Sequence, residues 1–150
     1  MANNYLLFSE VIEELSEEEM AWFSEKLGWE PSDEEIEDEN FQYPAWYDKE
    51  AQGVGFDYDL ARKSGCLYFI SEEYGNLDTL GILVREFLEK FRPNDVFTLT
   101  YAETCSRSRV GEFGGGAMVV SRLGIEFMNA HDFVSRAANR LRQELAGEGK

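Results

Sequence analysis

Residues 54–70 read VGFDYDLARKSGCLYFI, and this stretch decides the fold class. Val54, Phe56, Tyr58 and Leu60 alternate with Gly55, Asp57 and Asp59, the period of a half-buried strand. ARKSG at 61–65 reads as a turn, and Cys66 to Ile70 is a short apolar run that suits a central strand. Two such runs on either side of a short Gly-containing turn form a hairpin. Short turns between adjacent strands favour antiparallel pairing.

Working outward, Asn76 caps a helix whose Leu77, Leu80, Val84, Phe87, Leu88 and Phe91 fall on one face, and Pro93 ends it. Val96 to Glu103 alternates again, Ala117 to Ser121 is a further strand, and Ile125 to Met128 either extends it or stands alone. Asn129 with Asp132 opens a last helix, with Val134, Ala137, Ala138, Leu141 and Leu145 as its apolar stripe. Its Arg136, Arg140 and Arg142 sit toward the C-terminal half, where the helix dipole favours cations.

Upstream, Tyr5 to Ile12 is extended. Ser16 and Glu19 form a capping box, with Leu15 and Met20 placed as its hydrophobic staple. Met20, Phe23 and Leu27 make one stripe with Trp22 beside it, and Gly28 supplies a C′ stop. No internal repeat is visible. The order predicts an α+β fold: an antiparallel sheet of four to five strands with about three helices packed mainly on one face. One domain, 1–150, is expected, carrying an acidic insertion at about 30–50 whose order the sequence leaves open.

The charge is lopsided. Of 30 acids, 18 lie in residues 1–59 against only Lys26 and Lys49, so this part holds the whole net charge of −16, and residues 60–150 are neutral. Within EPSDEEIEDEN (30–40), seven of eleven residues are acidic and only Ile36 is apolar, which reads as a loop or a frayed helix. FQYPAWY (41–47) then supplies Phe41, Tyr43, Trp46 and Tyr47, too many aromatics for a plain linker. They either pin the acidic segment to the body or contact a partner.

This composition excludes some functions. A chain of −16 is no sequence-independent binder of nucleic-acid backbone, since phosphates need Lys and Arg. It is equally unsuited to anionic lipid. No apolar run approaches the roughly 20 residues of a membrane helix. Residues 1–15 carry no basic n-region, so no signal peptide is expected. Two cysteines, Cys66 and Cys105, fit a reducing cytoplasm, and no spacing points to a metal or a cofactor.

Two candidate sites emerge. The first is a partner-binding surface of Glu17, Glu18, Glu30, Asp33, Glu34, Glu35, Glu37, Asp38 and Glu39. Phosphates recur about every 3.4 Å along a strand of duplex. Extended chain advances about 3.3 Å per residue, so carboxylates can imitate that spacing. The plain alternatives are a solvated face, or docking onto the chain's own Arg-bearing last helix. The second is a candidate anion-binding loop in YAETCSRSRVGEFGGGA (101–117), where Gly114, Gly115 and Gly116 can offer backbone N–H groups beside Arg107 and Arg109. No Gly-Lys-Ser/Thr follows, so it is no P-loop; its plain alternative is a hairpin connection with a glycine bulge. Cys105 with the sole histidine, His131, is a catalytic pair only if folding joins them. Adjacent Glu72 and Glu73 would face opposite ways on a strand. No catalytic residue is assigned.

SEEYGN (71–76), KFRP (90–93), TLTYAETC (98–105) and RVGEFGGGA (109–117), followed by NAHDFV (129–134), resemble strings in a family of small uncharacterised bacterial proteins. The likeness covers about half the chain. It implies no activity, cofactor or catalytic residue, and it leaves out the acidic stretch 30–40.

The sequence therefore reads as an acidic, non-enzymatic, cytoplasmic binding protein. Its expected partner is a basic protein, itself a nucleic-acid binder, engaged by phosphate mimicry. Phage-type inhibitors of host defence, anti-CRISPR proteins among them, share this type: small, acidic, single-domain and without catalytic motifs. The alternative is a module or enzyme for a small anionic ligand, using Arg107, Arg109 and the glycine loop. Neither reading fixes an oligomeric state.

Overall fold

A computed structural model describes residues 3–148. Its elements are β1 (Asn4–Ile12), α1 (Glu17–Leu27), α2 (Asp33–Glu37), β2 (Asp57–Ala61), β3 (Cys66–Ser71), α3 (Leu77–Phe91), β4 (Phe97–Cys105), β5 (Gly114–Ser121), β6 (Gly124–Asn129) and α4 (Ala130–Glu148). The strands form one sheet in the order β2-β3-β1-β4-β5-β6, every neighbouring pair antiparallel. The fold is α+β as expected, with six strands and four helices in place of four to five and about three. The added strand is β6, which turns back on β5 through Arg122 and Leu123. The added helix is α2, a single turn made by a second capping box, Ser32 with Glu35. The acidic run is thus helical over Asp33–Glu37.

Alternation puts Leu67 and Phe69 of β3, Leu99 of β4, and Met118 and Val120 of β5 on one inner face, all fully buried. α3 covers that face with Leu80, Leu83, Val84 and Phe87. It seats closely because Gly81 has no side chain: a Cβ there would lie 3.0 Å from Met118 Sδ and 3.2 Å from Ile125 Cδ1. α1 joins through Phe23, whose ring lies 4.6 Å from that of Phe87. The Ser16–Glu19 capping box forms as read. Gly28 closes α1 without entering the left-handed region, at φ −95°. Its N–H already reaches the Ser24 carbonyl at 3.1 Å, so the helix ends without a left-handed residue.

Two polar links lock these layers. Asn76 accepts from the Asp78 and Thr79 N–H groups, and its Nδ2 donates to Asp48 Oδ2 at 2.9 Å. It therefore caps α3 and ties down the loop before β2. Asn76→Ala is expected to cost about 1–2 kcal/mol, read as a lower denaturant midpoint.

The second link is Arg92. Its Nε donates to Glu19 Oε2 at 2.9 Å, and its Nη2 donates to the Glu13 and Glu14 carbonyls. Burial alone would raise the Glu19 pKa, but the hydrogen bonds from Arg92 and Ser16 bring it below the usual 4.5. A carboxylate with a lowered folded pKa stabilises fully above its unfolded value, and that stability is lost as pH falls through the folded value. Arg92→Met is expected to cost about 1–2 kcal/mol at neutral pH, since the pair opens to solvent on one side. It should also flatten the acid limb of a stability-against-pH curve below about pH 4.5.

α4 departs from expectation. Its apolar stripe reads as a core face, yet none of its residues is buried. α3 already packs on the inner face over β5 and β6, and α4 packs against those same two strands. No helix among the described residues is long and apolar enough to cross a membrane.

Candidate partner-binding surface

The acidic surface is built on an aromatic foundation. Trp29 sits at the centre of Phe41, Tyr43, Trp46 and Tyr47, with ring centroids 5.2–6.4 Å away. Trp46 is 4% exposed, so the FQYPAWY segment packs inward and pins the acidic segment to the body. Lys49 Nζ lies 4.4 Å from the Tyr43 ring, a cation–π contact that closes the cluster. Asp48 anchors the following turn. Hydrogen bonds from the Asn76 side chain and the Ala51 and Glu50 N–H groups hold its carboxyl below the usual range.

On this base, Glu30, Asp33, Glu34, Glu37, Asp38 and Glu39 are exposed; Glu17 and Glu18 are exposed too, but they open α1 at the end opposite Trp29. Glu35 is half-buried, because its carboxylate accepts from the Ser32 N–H at 3.0 Å to close the capping box. Among the described residues the one ion pair is Arg92 with Glu19. The exposed carboxylates are therefore not neutralised from within, and the arginines of α4 do not dock on them. Sheet order explains this. α1 lies over the β2 edge, where Tyr58 Oη donates to the Leu27 carbonyl and Arg62 Nη2 to Ser24 Oγ. α4 follows β6 at the opposite edge.

A hollow that no local sequence pattern announces sits within this surface. Glu30, Ile36, Tyr43, Tyr47, Lys49 and Gln52 line this hollow of about 530 Å³. Ile36, the one apolar residue of the acidic run, opens onto it. Burial pushes the Tyr47 hydroxyl above its usual pKa, as do the neighbouring Tyr43, Glu30 and Asp48. The signal was present in FQYPAWY, but its pairing with Trp29 and Ile36 is tertiary.

The glycine candidate is corrected. Gly114, Gly115 and Gly116 are not a loop: they begin β5, paired with Glu103, Ala102 and Tyr101. Only Gly116 pairs on both sides, with Tyr101 and Asn129; Gly114 and Gly115 pair with β4 alone. The connecting turn is 106–113, where Arg107 and Arg109 are both exposed. A cleft of about 400 Å³ lies alongside, lined in part by Glu73, Glu103, Glu112 and His131 and by neither arginine. Its field favours a cation over an anion. His131 lies against Gly114: a Cβ there would sit 2.7 Å from His131 Nε2 and 3.5 Å from Glu103 Oε2. Glu72 and Glu73 are both exposed on the turn after β3.

No family model, no curated protein and no solved structure matches this chain.

Proposed function

We propose that this protein is a binding protein that engages a basic, nucleic-acid-binding partner through the carboxylates of α1, α2 and residues 30–39. One observation carries the reading: of the 18 acids in residues 1–59, only Glu19 is ion-paired among the described residues. Seven of these acids fall within residues 30–39, and gathering unpaired like charges in one short segment costs self-repulsion. A surface held that way by a capping box and a five-ring aromatic cluster is preorganised, which lowers the ordering cost of binding. Fixed carboxylates also match the bidentate geometry of arginine side chains that otherwise grip phosphate. The proposed action is competition: the partner's nucleic-acid channel is filled by carboxylates in place of phosphates.

The test is capture from nuclease-treated lysate on the immobilised protein, washed across a salt series. A basic partner that is retained at low salt, released as salt rises and displaced by added duplex DNA supports the reading. Displacement matters most, since a partner that binds DNA and this protein together would defeat phosphate mimicry.

A further inference from the structure

Two surfaces of this chain lie open, and they complement each other. The first is the stripe of α4: Phe133 is 60% exposed, Val134 62%, Leu141 49% and Leu145 66%. Positions 134, 138, 141 and 145 recur at the spacing of a single packing seam. Between Phe133 and Gln143 the helix carries three arginines and no acid. The second surface is the outer face of the sheet, opposite α3. Tyr68, Ile70, Val119 and Met128 stand exposed on it. The six strands contain no lysine or arginine, and Asp57, Asp59 and Glu126 flank this face.

A single chain does not join these surfaces. β6 runs into α4 without a loop, and the first turn of α4 is held on the inner side. His131 packs there against Gly114, and the Asn129 side chain accepts from the His131 N–H. The helix departs from the wrong side of the sheet to fold back over the outer face.

We infer that α4 of one copy lies along the outer sheet face of a second copy, reciprocally, in a two-fold dimer. The lengths agree. The 19 residues of α4 span about 28 Å. The nine residues each of β1 and β4, at the middle of the face, span about 30 Å. The charges agree as well: Arg136, Arg140 and Arg142 would approach a face whose only strand charges are acidic. Mutual exchange closes the assembly at two copies instead of propagating a filament. An amphipathic arginine helix can also lie on an anionic membrane, but the net charge of −16 opposes that.

Sedimentation equilibrium of the full chain over a concentration series tests this. The expected result is reversible association to twice the 17.2 kDa chain mass. Leu141→Glu with Leu145→Glu should give a monomer, as should Val119→Glu or Thr100→Arg on the outer face. All four positions are exposed, so wild-type circular dichroism should persist, and two face variants are made in case one fails to fold. Mixing the helix variant with a face variant should restore association, because one supplies an intact face and the other an intact helix. A monomeric wild type at every concentration overturns the inference. So does a dimer that survives a folded face variant, which would signify helix-to-helix pairing, or the absence of rescue on mixing. Retention of a monomeric wild type on phosphatidylglycerol vesicles, lost in the helix variant, would overturn it in favour of a membrane surface.

Discussion

Neutralising residues 33–39, as Asp33→Asn, Glu34→Gln, Glu35→Gln, Glu37→Gln, Asp38→Asn and Glu39→Gln together, is expected to abolish partner capture while leaving the fold intact. None of these side chains is ion-paired among the described residues, and Asp38→Asn keeps the Oδ1 that accepts from the Asn40 N–H. Glu35→Gln keeps the capping box, because a glutamine carbonyl accepts from the Ser32 N–H as the carboxylate does. The helix-dipole contribution of the first turn is small for a single turn at the surface. Relief of repulsion among six acids acts in the opposite direction. The melting temperature should therefore barely move or rise slightly. Each exposed Arg–carboxylate contact contributes little alone, but six together should weaken binding about a hundredfold or more. The salt dependence should also flatten, since the charges that produce it are gone. Capture is quantified against the wild type across the salt series, with Arg107→Ala plus Arg109→Ala as a control expected to bind normally. Equal binding by the neutralised protein would end the phosphate-mimicry reading.

Much of the fold is legible because its signals are local. The Ser16–Glu19 box, the hairpin turn at 61–65, the Asn76 cap and the α3 stripe each lie within a few residues of what they organise. The errors lie where the deciding partner is distant in sequence. Ser32 and Glu35 repeat the motif of Ser16 and Glu19, yet the surrounding acids hide the helix, and the Trp29 cluster that seats it is tertiary. The latch between Arg92 and Glu19 spans 73 residues. The α4 stripe is apolar, but a hydrophobic period reports only that a face is apolar, not that the chain covers it. The charge asymmetry was fully legible. That its carboxylates stay unpaired was not, because that depends on sheet order, which places the arginine helix at the far edge.

Gly116→Ala should be among the most damaging single methyl additions to this protein, and its damage should be structural. A Cβ at Gly116 would run into the Met128 carbonyl of the neighbouring strand, and into the Tyr101 ring, 2.7 Å from the hydroxyl oxygen and 2.9 Å from Cζ. Tyr101 is the cross-strand partner of Gly116, and its ring fills the space that a side chain there would take. Gly116 also pairs with Asn129 of β6, the residue that caps α4 through the His131 and Asp132 N–H groups. Shifting Gly116 to admit the methyl group therefore loosens β5, β6 and the start of α4 together. Backbone on one side leaves little room to relax, so the cost is placed at about 3 kcal/mol, the upper end for overpacking. For a domain of this size that is a fall of roughly 10 °C in melting temperature. Gly115→Ala should also be costly, with φ at +152° and the Tyr101 carbonyl 2.5 Å from the added carbon. Gly111→Ala meets open space but strains a φ of +79°, so about 1 kcal/mol is expected. An anion-binding loop would rank these differently, losing a ligand-dependent thermal shift with little change in the free protein. Thermal melts with and without a panel of phosphate compounds separate the two cases. A Gly116→Ala protein as stable as wild type would show that the glycines are not there to let the Tyr101 ring and the Met128 backbone close on β5.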